Sequence, residues 1–482
     1  MRSTSFHSIA SSVTLDGDYC KSAIVRSRRA AFGQDEGPGL GSGPAYKRPP
    51  AGQGQFIPPW PETRGSNHNL KVALATIAIF VSAPPAYAET APDAAALARA
   101  IQLLERTPVI DGHNDLPWEL HDKFGEEAPS IDVTGAPGTP ITKQETDIKR
   151  MRAGHMGGQF WSVWIPSTVT GADAIKLTLE QIDVARSFTR NNPDVFAEAQ
   201  TAADVERIQK SGKIAALIGI EGGHQIGDSI PALRQFYTLG VRYMTLTHSN
   251  NNAMADSATD NPKHKGLSLF GRQVIEEMNR IGMLVDLSHV SPDTMRQAIA
   301  LSKAPVIFSH SGARFIAEHP RNVPDDVLQS LKARDGVVMV NFYSAYVSNV
   351  YGHWKADRGA EIARFNAPPF GGLYIGQPER AAEALAVWDK AHPKPIVTAS
   401  DVAEHIDHIV KVAGIDHVGI GSDFDGVGGE TPSGLKSVAD YPNLFAELIR
   451  RGWSDAMLAK LAGGNILRVM RGAEKVAGLP AR

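Results

Sequence analysis

One cysteine, Cys20, serves the whole 482-residue chain. No intrachain disulfide can form and no thiolate metal site can be built, so any bound cation must be held by imidazole and carboxylate. An excess of one charge is also lacking. The 49 Lys and Arg stand against 52 Asp and Glu, for a formal charge of −3, which excludes the basic footprint of a nucleic-acid binder. Long apolar runs are scarce. The run at 72–81 has ten residues, too few to span a bilayer comfortably. The closing "VMRGAEKVAGLPAR" has no apolar tail, so no C-terminal membrane anchor is expected.

Residues 1–69 are rich in Ser, Arg, Gly and Pro without a periodic apolar pattern, the composition of a disordered leader. Next comes "LKVALATIAIFVSAPPAYAETA". Lys71 gives a positive edge, 72–81 an apolar core, and Ala86-Tyr87-Ala88 a small-x-small cleavage site. This is the anatomy of a signal peptide over 70–88. It implies an exported domain, 89–482, in a bacterial periplasm or secreted. Its depth in the chain suggests that translation starts near Leu70 and that 1–69 reflect a misassigned start. The competing reading is a disordered leader joined to a loosely packed apolar segment.

Beyond residue 100 the punctuation becomes regular. Short apolar runs at 108–115, 157–166, 214–223, 241–250, 282–290, 304–312, 336–344 and 417–426 read as strands. Between most of them lie helical patterns, such as "DAIKLTLEQIDVARSFTRNN", "LSLFGRQVIEEMNRIG" and "SPDTMRQAIALS", the last with Ser291 as N-cap. Continuous apolar strands alternating with helices specify a parallel sheet covered by helices, and eight such units favour a closed (β/α)8 TIM-like barrel over an open doubly wound sheet. The stretch 345–416 is too long for one crossover. "YGHWKADRGAEIARFNAPPFGGLYIGQ" reads as an irregular insertion near 345–395, with helices in "ERAAEALAVWDKAHP" and "DVAEHIDHIVKVAG" placing extra matter over the barrel mouth.

Polarity concentrates where the apolar runs end: His113 and Asp115, Glu221, His248, His289, His310, then Asp423 and Asp425. In a parallel barrel all those ends open on one face, where catalytic loops sit. Burying such groups together is costly unless a cation offsets it, and this donor set suits Zn²⁺, Mn²⁺ or Fe²⁺. Singly, each residue has an ordinary explanation: a hydrogen-bonded His–Asp pair, a turn carboxylate, a loop or barrel histidine. Coincidence at six strand ends is what weakens those explanations jointly. His121, His264, His353, His392, His405, His408 and His417 fall in polar segments or on or beside helices and are expected to be structural.

The ordered set "VIDGHNDLPW", "GGQFWSVWIP", "IGIEGGHQI", "GVRYMTLTHSN", "VDLSHVS", "PVIFSHSGAR", "RNVPDDVL" and "VGIGSDFDGV" resembles the membrane dipeptidase (renal dipeptidase, peptidase M19) family of the metal-dependent hydrolase superfamily, over about 101–471. The resemblance implies a (β/α)8 fold with two Zn²⁺ ions: His113 and Asp115 on the first, His289 and His310 on the second, Glu221 and a hydroxide bridging both. It implies that His248 binds substrate and polarises the scissile carbonyl, that Arg321 receives the terminal carboxylate, and that Asp423 binds substrate and transfers the proton. Ser422 stands where the family pattern has glycine. Asp425 is expected to cap the Gly-rich turn after it. The implied activity is a zinc-dependent dipeptidase that admits a D-residue on the C-terminal side. Another amidase or lactonase of the superfamily, or a non-catalytic peptide-binding barrel, are the alternatives. Small peptides are the expected partners. A non-covalent homodimer stays open, because the disulfides and lipid anchor of some members do not transfer to this chain.

Overall fold

The computed structural model describes residues 93–141 and 143–480. The expected leader and signal segment, 1–88, lie outside them. Nine parallel strands form one sheet: β1 (Val109–Asn114), β2 (Met156–Trp164), β3 (Phe196–Glu198), β4 (Ile214–Glu221), β5 (Val241–Thr245), β6 (Leu284–Asp286), β7 (Ile307–Phe308), β8 (Val337–Val340) and β9 (Val418–Ile420). The sheet runs β2-β1-β9-β8-β7-β6-β5-β4-β3, and a further β2–β4 pairing over Gly158–Trp164 closes it into the expected eight-stranded barrel. β3 is an unexpected ninth strand. It pairs with the start of β4, before β5 takes over that edge at Ile218.

Period-two alternation explains the layering. Ile110, Phe160, Leu217, Tyr243, Leu284, Ile307, Val337 and Met339 fall in one buried cluster, which also takes in Ile466 and Met470 of the helix Asn465–Val476. Their neighbours Val109, Trp161, Ile218, Met244, Val285, Phe308, Val338 and Val340 fall in the other, together with residues of the surrounding helices. The first set lines the lumen and the second packs outward. One step of alternation past the apolar lumen layer brings Thr245, Asp286, Ser309 and Asn341 to the C-terminal mouth, and in β4 a second step, past Gly219, brings Glu221; all are buried. The barrel therefore carries a polar layer on top of an apolar plug.

The ladders are shorter than the apolar runs suggest, and β7 has only two residues. Side chains and loops take over the backbone groups there: Ser309 N–H donates to Asp286 Oδ1 and Ser311 N–H to the Met339 carbonyl. The expected helices form, with Ser291 capping Thr294 N–H. One expectation fails. Most of the segment read as irregular is a helix, Asn349–Asn366, capped by Ser348. Only Tyr351 and Phe365 of it are buried, so it lacks the apolar stripe that reveals a packed helix in sequence. Lys355 ties it to Glu430 in the loop after β9 (2.7 Å) and to the Tyr343 hydroxyl after β8, which places it on the mouth side.

Candidate metal centre

Glu221 is the last residue of β4 and follows Leu217 and Gly219 in the lumen phase, so its carboxylate points into the mouth. Its two oxygens face different partners. Oε2 lies 3.6 Å from Nε2 of His113, whereas Oε1 lies 2.9, 3.4 and 3.5 Å from Nε2 of His289, His310 and His248. On the Oε2 side, Asp115 Oδ2 is 3.6 Å from the same His113 nitrogen. On the Oε1 side, the Nε2 atoms of His289 and His310 are 2.9 Å apart. The donors form overlapping trios, His113/Asp115/Glu221, Glu221/His289/His310 and His113/His310/Asp423, each with its ligand atoms within 4.8 Å of one another. All six residues are buried. His113 Nε2 has no hydrogen-bond partner. Two imidazole nitrogens converging at 2.9 Å and an orphaned third suit lone pairs aimed at cations, and an all-N/O donor set suits Zn²⁺. The donors fit two ions that share Glu221.

The electrostatics follow the same division. Burial, reinforced by the Arg321 charge at His289 and by His113 at His310, holds both imidazoles well below the ordinary histidine range, so they are neutral donors. Burial alone would raise Glu221, but His113 and His248 hold it well below the carboxylate range, and it is ionised. Burial would likewise lower His113. Tyr243, Glu221 and Asp115 overcome it and push the imidazole well above its usual range.

Two residues of these trios adopt left-handed backbone, His289 (φ 67°) and Asp423 (φ 66°). His and Asp tolerate that region better than most side chains, and the turn swings each into the mouth after its short strand has ended. Asp423 Oδ2 accepts from Asn341 Nδ2 (2.8 Å), which leaves Oδ1 3.9 Å from His113 Nε2. A Cβ on Gly426 would stand 2.0 Å from Asp115 Oδ2 and 2.7 Å from Asp423 Oδ1, so only glycine lets the chain pass behind both carboxylates. His248 sits edge-on to Trp164 and pairs through Nδ1 with Ser249 Oγ at 3.0 Å. Arg321 is 2% exposed. Its Nε and Nη1 have no hydrogen-bond partner, and its guanidinium carbon lies 5.3 Å from the Tyr346 ring. A buried guanidinium with unpaired donors is costly unless an anion meets it.

Asp425 stays out of the centre, but its partner is not the expected glycine turn. It accepts from Glu145 N–H (2.7 Å), and Glu145 Oε2 accepts from Asp425 N–H (2.5 Å), sewing the loop after β9 to the segment before the helix Ile148–Ala153. Burial raises Asp425 to about 7 and Glu145 to about 8, with mutual repulsion adding to Glu145. His405 accepts from Ala313 N–H and pairs with the Val347 carbonyl, His408 pairs with Asp325, and His417 with the Gly336 carbonyl. These three are structural, as expected. Sequence reading missed Glu145 and two buried carboxylates beneath the ligands. Asp111 accepts from His113 N–H, Ser422 N–H and Oγ, and Tyr441 OH, joining β1 to β9. Asp286 accepts from the Ser288 and Ser309 N–H groups and from the Thr245 and Ser309 hydroxyls, joining β6 to β7. An aspartate preceding a ligand histidine by two or three residues was the available signal.

Comparison with known proteins matches residues 97–480 to the family model described as membrane dipeptidase (peptidase family M19). The chain is 39% identical over 391 residues to Dipeptidase verJ of Clonostachys rogersoniana, covering 79% of this chain and 88% of that one. It is 41% identical over 386 residues to an uncharacterized dipeptidase of Schizosaccharomyces pombe, covering 77% and 82%. Among solved structures, the probable dipeptidase PvdM from Pseudomonas aeruginosa superposes with a TM-score of 0.65 at 28% identity, covering 80% of this chain and 99% of that one.

Proposed function

The chain belongs to the membrane dipeptidase family, peptidase family M19, and from that premise we propose how its mouth hydrolyses a dipeptide. It is a zinc-dependent metallo-dipeptidase with a binuclear site. The observation that carries the two-ion reading is the division of Glu221, one oxygen toward His113 and the other toward His289 and His310. We assign His113 and Asp115 to one ion, His289 and His310 to the other, and Glu221 to both. Bound divalent cations supply a water of lowered pKa and polarise the carbonyl under attack.

The chain's own groups do the rest. Arg321 receives the C-terminal carboxylate of the substrate through its unpaired Nε and Nη1, because a fork of donors matches a carboxylate and nothing in the protein already satisfies it. That contact anchors the residue after the scissile bond and restricts the enzyme to short peptides with a free C-terminus. His248, steadied by Ser249, offers an N–H to the carbonyl oxygen as it gains charge. Asp423, with one oxygen fixed by Asn341, accepts a proton from the attacking water and returns it to the departing amine as the C–N bond breaks. A D-residue on the C-terminal side is admitted in this reading, since recognition rests on the carboxylate. Residues 70–88 support export with cleavage after Ala88. The deciding experiment is hydrolysis of a dipeptide library with L and D configurations at both positions by metal-replete protein. Turnover of dipeptides but not of their C-terminal amides is expected, and failure to cleave any dipeptide would refute the assignment.

A further inference from the structure

The phenol of Tyr243 lies in the barrel lumen beneath the metal ligands and is fully buried. Its hydroxyl donates to the Gly112 carbonyl at 3.1 Å and lies 2.9 Å from Nδ1 of His113. A hydroxyl has one proton. Committed to the carbonyl, it can only accept from the imidazole, so His113 carries its hydrogen on Nδ1. Nε2, which faces Asp115 and Glu221 at 3.6 Å each, is then the nitrogen left to meet a cation. The barrel is shaped to admit this ring. A Cβ on Gly219 would stand 2.0 Å from the phenol.

His310 is oriented by a different device. Its Nδ1 lies 2.8 Å from Ser309 Oγ, whose proton goes to Asp286 Oδ2 at 2.6 Å. The two sides of Glu221 thus rest on separate supports, a phenol under one and a serine–aspartate pair under the other.

We propose that Tyr243 is the positioning residue for His113, fixing its tautomer and aim, and that it thereby tunes one cation position, the one shared by His113, Asp115 and Glu221, independently of the other. This rests on the two-metal reading above. Outer partners of ligating histidines typically change metal affinity by about 10–100-fold. Loss of the Tyr243 hydroxyl should therefore weaken one ion selectively.

The test is zinc release. Zinc-loaded wild type, Tyr243→Phe and Phe160→Leu are dialysed against graded chelator, and the zinc retained per chain is measured alongside the melting temperature of the metal-free proteins. The Phe160 ring lies tilted against the Tyr243 ring (5.4 Å between centroids) and has no polar atom to offer its hydroxyl, so Phe160→Leu reports packing alone. Tyr243→Phe should give up one ion at roughly 10–100-fold lower chelator and keep the second at its wild-type midpoint. Phe160→Leu should lower the metal-free melting temperature and move neither midpoint. A Tyr243→Phe curve that overlays wild type, or one in which both ions weaken equally, overturns the proposal. Wild type holding fewer than two ions would instead refute the two-metal reading. If Tyr243→Phe does not fold, the zinc-loaded wild-type crystal structure decides. Coordination through Nε2 of His113, with the Tyr243 hydroxyl at hydrogen-bond distance from Nδ1, upholds the proposal. Coordination through Nδ1, or a hydroxyl turned away, overturns it.

Discussion

Replacing Arg321 by Met separates function from stability in opposite directions. In the ligand-free protein Arg321 is a permanent charge at 2% exposure whose Nε and Nη1 lack partners. Its aromatic contact among the described residues, the Tyr346 ring at 5.3 Å, returns about 0.5–2 kcal/mol. Exchanging buried charges for apolar groups of similar volume is often neutral or stabilising by about 1–4 kcal/mol. Arg321→Met should therefore leave the ligand-free melting temperature unchanged or raise it. A substrate carboxylate held by two charged hydrogen bonds gains about 1.5–3 kcal/mol from each. Losing both should cut kcat/KM for dipeptides by roughly 10²–10⁴. The assay pairs each dipeptide with its C-terminal amide, which offers the arginine no anion. The variant should bring the two substrates to similar, low efficiencies. Equal proportional losses on dipeptide and amide, or a sharp fall in ligand-free stability, would refute the reasoning.

Asp423→Asn should lower kcat by about 10²–10⁴-fold, the usual weight of a general acid–base, with a much smaller change in KM; steady-state kinetics on one dipeptide decides it. Glu145→Gln probes the buried acid pair. Folded values near 8 for Glu145 and 7 for Asp425 lie above those of the unfolded chain, so the folded state binds more protons and stability falls as pH rises from the unfolded values through the folded ones. The slope is on the order of 1 kcal/mol per pH unit per group. The variant should gain stability over wild type at pH 8 and little at pH 5, read by urea unfolding at both. Removing metal should lower the melting temperature, because an ion present at a thousandfold its Kd adds about 4 kcal/mol to the native state; thermal scans with and without chelator measure it. Acidification should also release metal, since protons compete for His113 and the other imidazoles, and dialysis at stepped pH follows the loss.

The barrel was legible because its strands alternate without interruption. Each lumen residue, from Ile110 to Met339, has an outward neighbour of equal apolarity, and that pattern fits a parallel sheet covered by helices. The ligand residues could be found because each directly ends or closely follows an apolar run. Whether Asp423 or Asp425 enters the centre turned on a contact that no local pattern encodes, the reciprocal hydrogen bonds with Glu145, 280 positions away. Tyr243 carries no signal in sequence for a similar reason, since its hydroxyl acquires meaning only when β5 faces β1 across the lumen. The helix Asn349–Asn366 escaped notice because it buries too little to carry an amphipathic signature.

The central claim is that two cations share Glu221, and metal content measured against activity tests it most directly. Purified wild type, equilibrated with zinc and freed of excess, should carry two ions per chain and hydrolyse dipeptides; Glu221→Gln, folded but with a neutral bridge, should retain fewer and lose activity. Full dipeptide hydrolysis by wild type carrying one ion or none, or by Glu221→Gln carrying two, would contradict the account.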